Sequence, residues 1–190
     1  MNKTIILASK SLGRKLLLEE AGFEVLIQPS KADEEHQRES VENSVRLLAK
    51  RKLEAFLRAQ PAPAHPVIAS DTLLAFKEVE LGQPETREAA FSQLRLLSGE
   101  THYVYSAWAL WVNGDVHQGC DRCAVTFKEL SDDEIESYLD TGEWVGAAGS
   151  YRYQGRGKEL VRSTAGDEST VVGLPMKQIS GILAEALPEW

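Results

Sequence analysis

Cysteine is scarce in this chain, with two in 190 residues, so only one thiol pattern needs weighing. Cys120 and Cys123 fall in the order C-x-x-C, which reads as half a zinc site, a redox pair or no site at all, and His117 three residues upstream adds a third candidate ligand. The surrounding AWALWVNGDVHQGCDRCAVTF reads as a hairpin turning at Asn113-Gly114, and strand residues three apart point to opposite faces. Convergence on one metal would need a bulge, which disfavours the metal and redox readings. Long apolar runs are missing too. No stretch approaches the length that spans a bilayer, and the apolar run in MNKTIILASKS is too short for a signal peptide, so cytoplasm is the expected location. Basic surplus is the third absence. With 21 Lys and Arg against 29 Asp and Glu the formal charge is −8, which argues against nucleic acid or a membrane surface as the main partner. A small anionic substrate remains compatible, because a few positioned cations can hold one inside an acidic protein.

What is present is a globular composition, 43% hydrophobic, enough for one substantial core. There is no internal repeat, low-complexity tract or linker, and residues 1–190 are read as one domain with room for two lobes. Thr4 to Ala8 reads as a buried strand, followed by a helix with Leu17, Leu18 and Ala21 on its apolar stripe and Gly22 as its stop. Phe23 to Ile27 is a second strand, SKADEEHQRES an acidic loop, and Val41 to Ala59 a long helix. After the loop PAPAHP, VIAS and TLLAF read as one buried strand with a polar interruption at Asp71. Pro84 suits the first turn of a helix ending near Leu97. The hairpin arms cover 103–112 and 116–127, and Ser131 with Glu134 makes a capping box for a helix through Leu139. The glycine-rich GEWVGAAGSYRYQGRGK is too irregular for either element; a strand near Leu160 to Arg162 and a helix from Pro175 to about Leu187 complete the chain. This order is that of a mixed α/β fold.

Three residues sit badly for a merely structural protein. On the long helix Val45, Leu48, Ala49, Leu53 and Phe56 form the apolar stripe, and Lys52 falls in its middle, where it must snorkel or meet an anion. Arg14 lies on the inward face of the first helix, one turn from its start. The free amides there, with the Ser9 and Ser11 hydroxyls, make either a phosphate cradle or a simple helix cap. Asp71 lies between two apolar runs, where a carboxylate serves as a turn cap, a metal ligand or a partner for a cation. With Glu34 or Asp33 brought near, it would hold the divalent cation that polyphosphate chemistry generally needs.

LASKSLGRKLLLEEAG resembles the opening LAS-x-S-x-x-R-x-x-LL of the Maf proteins, nucleoside triphosphate pyrophosphatases also described as septum-formation inhibitors. The resemblance continues in order through ADEE, LAKRK, SDT, GQPETREAAFSQLRLLSGETHYVYSAWAL, LSDDEIESYLDTGE, AAGSYRYQG and VVGLP. It implies a mixed, elongated central sheet flanked by helices, with two lobes around a cleft, similar to the inosine triphosphate pyrophosphatases and often dimeric. It also implies a divalent metal (magnesium, manganese or cobalt), with water attacking the α-phosphorus and pyrophosphate leaving. Carried over by position, Ser9, Ser11 and Arg14 would hold phosphates, Lys52 would neutralise them, and Asp71 would be metal ligand or base. Glu34 would be the second metal carboxylate, and Gln83 and Gln154 would lie against the substrate.

The chain departs from that pattern at three places. Gly82-Gln83-Pro84 stands where the family generally reads GKP or EKP. Trp144 to Tyr151 carries Gly146 and Ala147 where the family often has an aspartate and a lysine, and Leu12-Gly13-Arg14 has one arginine where two are common. The leading expectation is a pyrophosphatase acting on a pyrimidine or modified nucleoside triphosphate. The alternative is a regulatory protein that binds nucleotide but has weak catalysis. For Gln83, a cation from Lys77, Arg152 or Arg156 would be needed to fill the vacated space.

Overall fold

The computed structural model describes residues 3–32 and 40–188. The chain opens with β1 (Thr4–Leu7), α1 (Leu12–Glu20) and β2 (Glu24–Ile27). Every residue of β1 is buried, as its apolar, β-branched run requires. Ser11 caps α1 by accepting from the Arg14 amide, and Gly22 supplies the left-handed residue past its end with φ +88°. Helix α2 (Val41–Ala59) starts from the Ser40 cap and buries the predicted stripe.

Strand β3 (Val67–Phe76) turns through Lys77-Glu78, both at positive φ, into the short β4 (Val79–Glu80). The strand continues past the polar Asp71, as expected: β3 is unbroken, and Asp71 pairs with Ala107 in register. Helix α3 (Arg87–Leu97) starts later than Pro84 suggests, because the Thr86 hydroxyl accepts from the Ala89 amide and fixes the start there.

Strands β5 (Thr101–Val112) and β6 (Asp115–Phe127) form the hairpin, with Asn113 at φ 52° and Gly114 at φ 96° in the turn. Helix α4 (Asp132–Leu139) carries the predicted capping box. The glycine-rich segment contains two single 3₁₀ turns before β7 (Val161–Ala165). Helix α5 (Glu168–Val172) is too short to show a helical period in sequence, and α6 (Met176–Ala186) follows Pro175.

All strands join one mixed sheet in the order β2-β1-β3-β5-β6-β7, with β4 added to β3. β1 runs parallel to β2 and β3; the other pairs are antiparallel. The apolar side chains of α2 cover one face, packing Leu53 and Phe56 on Val67 and Ala69, and Val45 and Ala49 on Ala75. The other face divides into two apolar clusters. One joins Leu18 and Ile179 to Leu7 and Ile68; the other joins Leu94, Ile135 and Leu139 to Leu74 and Phe127. Between them runs a polar seam of buried Ser70, Ser106 and Thr170. The two clusters correspond to the expected lobes.

The β5–β6 register is regular across Ala107↔Cys120 and Val104↔Cys123, without the bulge a shared metal would need. Among the described residues no group of three or more His, Cys, Asp or Glu is placed to hold a metal. Burial pushes both thiols up to about 11, so neither offers a ready thiolate. No helix among the described residues is long and apolar enough to cross a membrane.

Candidate active site

The site arises from a gap in strand pairing. β1 pairs with β3 only at Ile6↔Val67 and Leu7↔Ile68, then leaves for the loop before α1. β4 pairs with the same edge of β3 only from Ala75 onward. Between those points the edge of β3 lacks a strand neighbour, and a cleft of about 710 Å³ opens where parallel strands end and antiparallel pairing takes over. Ligands in open α/β sheets favour such switch points, and the volume is in the range of small-molecule sites.

An edge carbonyl in the gap needs a donor, and Arg14 supplies it. Its Nη1 donates to the Ser70 carbonyl at 2.8 Å and to Ser9 Oγ at 3.1 Å. Nη2 donates to Thr72 Oγ1 at 3.0 Å and Nε to the Gly173 carbonyl at 3.2 Å. Arg14 is 8% exposed, so most of its donors are spent on the protein while its charge still reaches the cleft. Ser70 Oγ donates to the same Gly173 carbonyl at 2.7 Å, and Thr72 Oγ1 lies 2.8 Å from Ser106 Oγ. Ser106 Oγ in turn donates to the Thr170 carbonyl. A continuous polar chain therefore ties the front of α1 to β3, β5 and α5.

Ser9 and Ser11 serve the helix start and the cleft together. Ser9 Oγ accepts from the Ser11 amide, and both side chains belong to residues that line the cleft. The two readings of these serines are therefore compatible.

On the opposite face of β3, Asp71 points toward α2. Lys52, in the middle of the α2 stripe, donates from Nζ to Asp71 Oδ1 at 2.5 Å, with 14% and 15% of the two side chains exposed. The anion demanded by the helix pattern is thus present in the protein itself, at the cleft edge.

Gln83 and Gln154 also line the cleft, so seven predicted residues, Ser9, Ser11, Arg14, Lys52, Asp71, Gln83 and Gln154, share one cavity. Glu34 and Asp33 lie outside the described residues. Thr72 and Ser30 line the cleft without breaking any sequence pattern; the Ser30 hydroxyl is buried there without a partner among the described residues. Of the three cations weighed for the Gln83 position, only Arg152 lines the cleft. Lys77 pairs with Glu100 and Arg156 with Glu159 on the surface.

The Maf-like protein family model matches residues 4–186. The chain belongs to the Maf family. A dTTP/UTP pyrophosphatase of Latilactobacillus sakei is 39% identical over 94% of this chain and 98% of its own length. A dTTP/UTP pyrophosphatase of Bacillus velezensis is 38% identical over 97% of both chains, and one of Pyrococcus furiosus is 36% identical over 92% of this chain and 90% of its own. Among solved structures, the Staphylococcus aureus Ham1 protein superposes with a TM-score of 0.45 at 16% identity, covering 67% of this chain and 73% of that one. A likeness that slight carries no functional weight. The Maf assignment rests on the sequence relatives, and the cleft residues stand in the segments through which the resemblance runs.

Proposed function

We propose that this Maf-family chain hydrolyses pyrimidine nucleoside triphosphates to the monophosphate and pyrophosphate, with water attacking the α-phosphorus. The observation that carries the reading is the Lys52–Asp71 ion pair at the edge of a cleft that also holds Ser9 and Arg14. A carboxylate and an ammonium side by side can orient a water and neutralise the charge that develops on the phosphoryl oxygens. The names of the relatives, dTTP/UTP pyrophosphatases, supply the substrate class.

Ser9, Ser11 and the first amides of α1 would receive phosphate oxygens, helped by the positive end of that nine-residue helix. Arg14 would act through its charge and by holding Ser9, since four of its hydrogen bonds go to the protein. Lys52 would neutralise the α-phosphate and hold the Asp71 carboxylate in place. Asp71 would orient the attacking water. The neutral amides of Gln83 and Gln154 would donate to and accept from polar atoms of the substrate.

The donor set also fits a divalent cation. Asp71 offers a hard carboxylate oxygen in the cleft, and magnesium is usually held by one or two carboxylates with substrate phosphates and water completing the shell. Asp71, with Glu34 from the segment outside the described residues, would hold magnesium, manganese or cobalt. When bound, such a cation supplies charge neutralisation and a more acidic water.

The test is a panel of nucleoside triphosphates incubated with magnesium, manganese or cobalt, with pyrophosphate and monophosphate both measured. Equimolar release of the two from dTTP or UTP is expected. The neutral Gln83, Gly146 and Ala147 favour one other reading, a nucleotide-binding protein with weak catalysis. Tight nucleotide binding without pyrophosphate release at micromolar enzyme would establish that reading instead.

A further inference from the structure

Resting on that reading, we infer that Arg152 is the cation that holds the departing pyrophosphate. Its guanidinium is docked on the turn after α4, with Nε donating to the Glu143 carbonyl at 2.9 Å and Nη2 to the Val145 carbonyl at 2.7 Å. Those bonds use two of the five N–H groups an arginine carries, and the other three have no partner among the described residues. Among the described residues no carboxylate pairs with it either, although acidic residues outnumber basic ones in the chain. Arg14 and Lys52, by contrast, are each committed to protein acceptors.

The backbone around Arg152 is fixed. Its amide donates to the Tyr138 hydroxyl at 3.0 Å, and Gly157 packs so closely that an added Cβ would lie 2.4 Å from the Arg152 carbonyl oxygen. Arg152 therefore presents its free donors from a rigid mount, which suits recognition of a phosphate oxygen pair.

Charge places it relative to the reaction. Next to the large cleft lies a smaller pocket of about 180 Å³, which shares Arg14, Arg152 and Gln83 with it. Among the described residues this pocket has no Asp or Glu in its lining, whereas the larger cleft has Asp71. A water-activating carboxylate belongs beside the α-phosphorus, and the two phosphates that leave carry the most charge. They fit the side that offers arginines and no acid. A Cβ built on Gly146 would lie 3.7 Å from Arg152 Nη2 and 4.0 Å from Gln83 Oε1, so position 83 borders the same space.

Binding of inorganic pyrophosphate and of the monophosphate product to the wild type and to Arg152→Met, in magnesium buffer, tests this. Pyrophosphate affinity is expected to fall about tenfold to a hundredfold, as for one lost charge-assisted contact, with monophosphate affinity within about twofold of wild type. Adding Gln83→Lys to Arg152→Met is expected to restore much of the loss, because it returns a cation to the same space. Unchanged pyrophosphate binding in a folded variant overturns the inference. So does a parallel loss of both ligands, which would make Arg152 a brace for its turn. A wild-type protein that neither hydrolyses triphosphates nor binds pyrophosphate overturns the underlying function instead.

Discussion

Position 52 ties the pattern of one helix to the chemistry of the cleft. A lysine centred among Leu48, Ala49, Leu53 and Phe56 requires an anion, and the structure supplies Asp71 at 2.5 Å. That pairing changes the consequence of removing the lysine. An anion-seeking lysine with no protein partner would be stabilising to replace, whereas Lys52→Met here leaves a mostly buried carboxylate alone. We expect it to lower stability by up to about 2 kcal/mol, less than a fully buried pair because the cleft admits water, and to weaken nucleotide binding. Thermal melts with and without nucleotide check both; a variant as stable as wild type contradicts the role of the pair. Asp71→Asn keeps the shape and loses the charge, so it should stay folded while hydrolysis falls by at least about a hundredfold. Lys52 and Asp71 were both legible in the sequence because each breaks an apolar pattern. Thr72, Ser30 and the free donors of Arg152 were not, since a polar residue in a strand or loop breaks nothing until its neighbours are known.

At the scale of elements, the decisive feature is the stretch of β3 left uncovered between β1 and β4. Strand identity could be read from apolar runs, but which edge lacks a neighbour depends on pairing between distant segments. Gly173 shows how tightly the gap is sealed. Its φ is +125°, and an added Cβ would lie 2.8 Å from Arg14 Nε. Gly173→Ala is expected to cost about 1–3 kcal/mol and to displace Arg14, so that KM rises along with the loss of stability. Normal kinetics in that variant would remove Arg14 from the site.

A second joint holds the glycine-rich segment to β5. His102 Nε2 and the Tyr151 hydroxyl are 2.8 Å apart, edge-on to each other and to Phe127. Burial pushes the imidazole down to about 4 from 6.5, so the folded protein keeps it neutral. The stabilising contribution is complete above pH 6.5 and is lost as pH falls toward 4, where the unfolded chain takes up a proton that the folded one refuses. The loss amounts to at most about 3 kcal/mol. Urea unfolding at a series of pH values should show it, and His102→Gln should flatten that part of the curve. An equal slope in the variant would assign the acid sensitivity elsewhere.

For the whole molecule, one face of the sheet is covered by α2, while the other splits into two apolar clusters with the polar seam between them. Composition and periodicity predicted the mixed α/β class and the buried stripes, but a seam made from Ser70, Ser106 and Thr170 looks like three ordinary residues until the sheet is assembled. A ligand that bridges the two clusters should couple them. A non-hydrolysable α,β-methylene pyrimidine triphosphate at about 100 times its Kd is expected to add about 2.7 kcal/mol, or roughly 5–10 °C in Tm. No shift at saturation would mean the cleft does not take the substrate.

In the proposed mechanism the Lys52–Asp71 pair directs water to the α-phosphorus. Hydrolysis of UTP or dTTP in water enriched in oxygen-18, with both products analysed by mass spectrometry, tests it most directly. One heavy oxygen is expected in the monophosphate and none in the pyrophosphate, with the reaction lost in Asp71→Asn. Label in the pyrophosphate would place the attack at the β-phosphorus and contradict that mechanism.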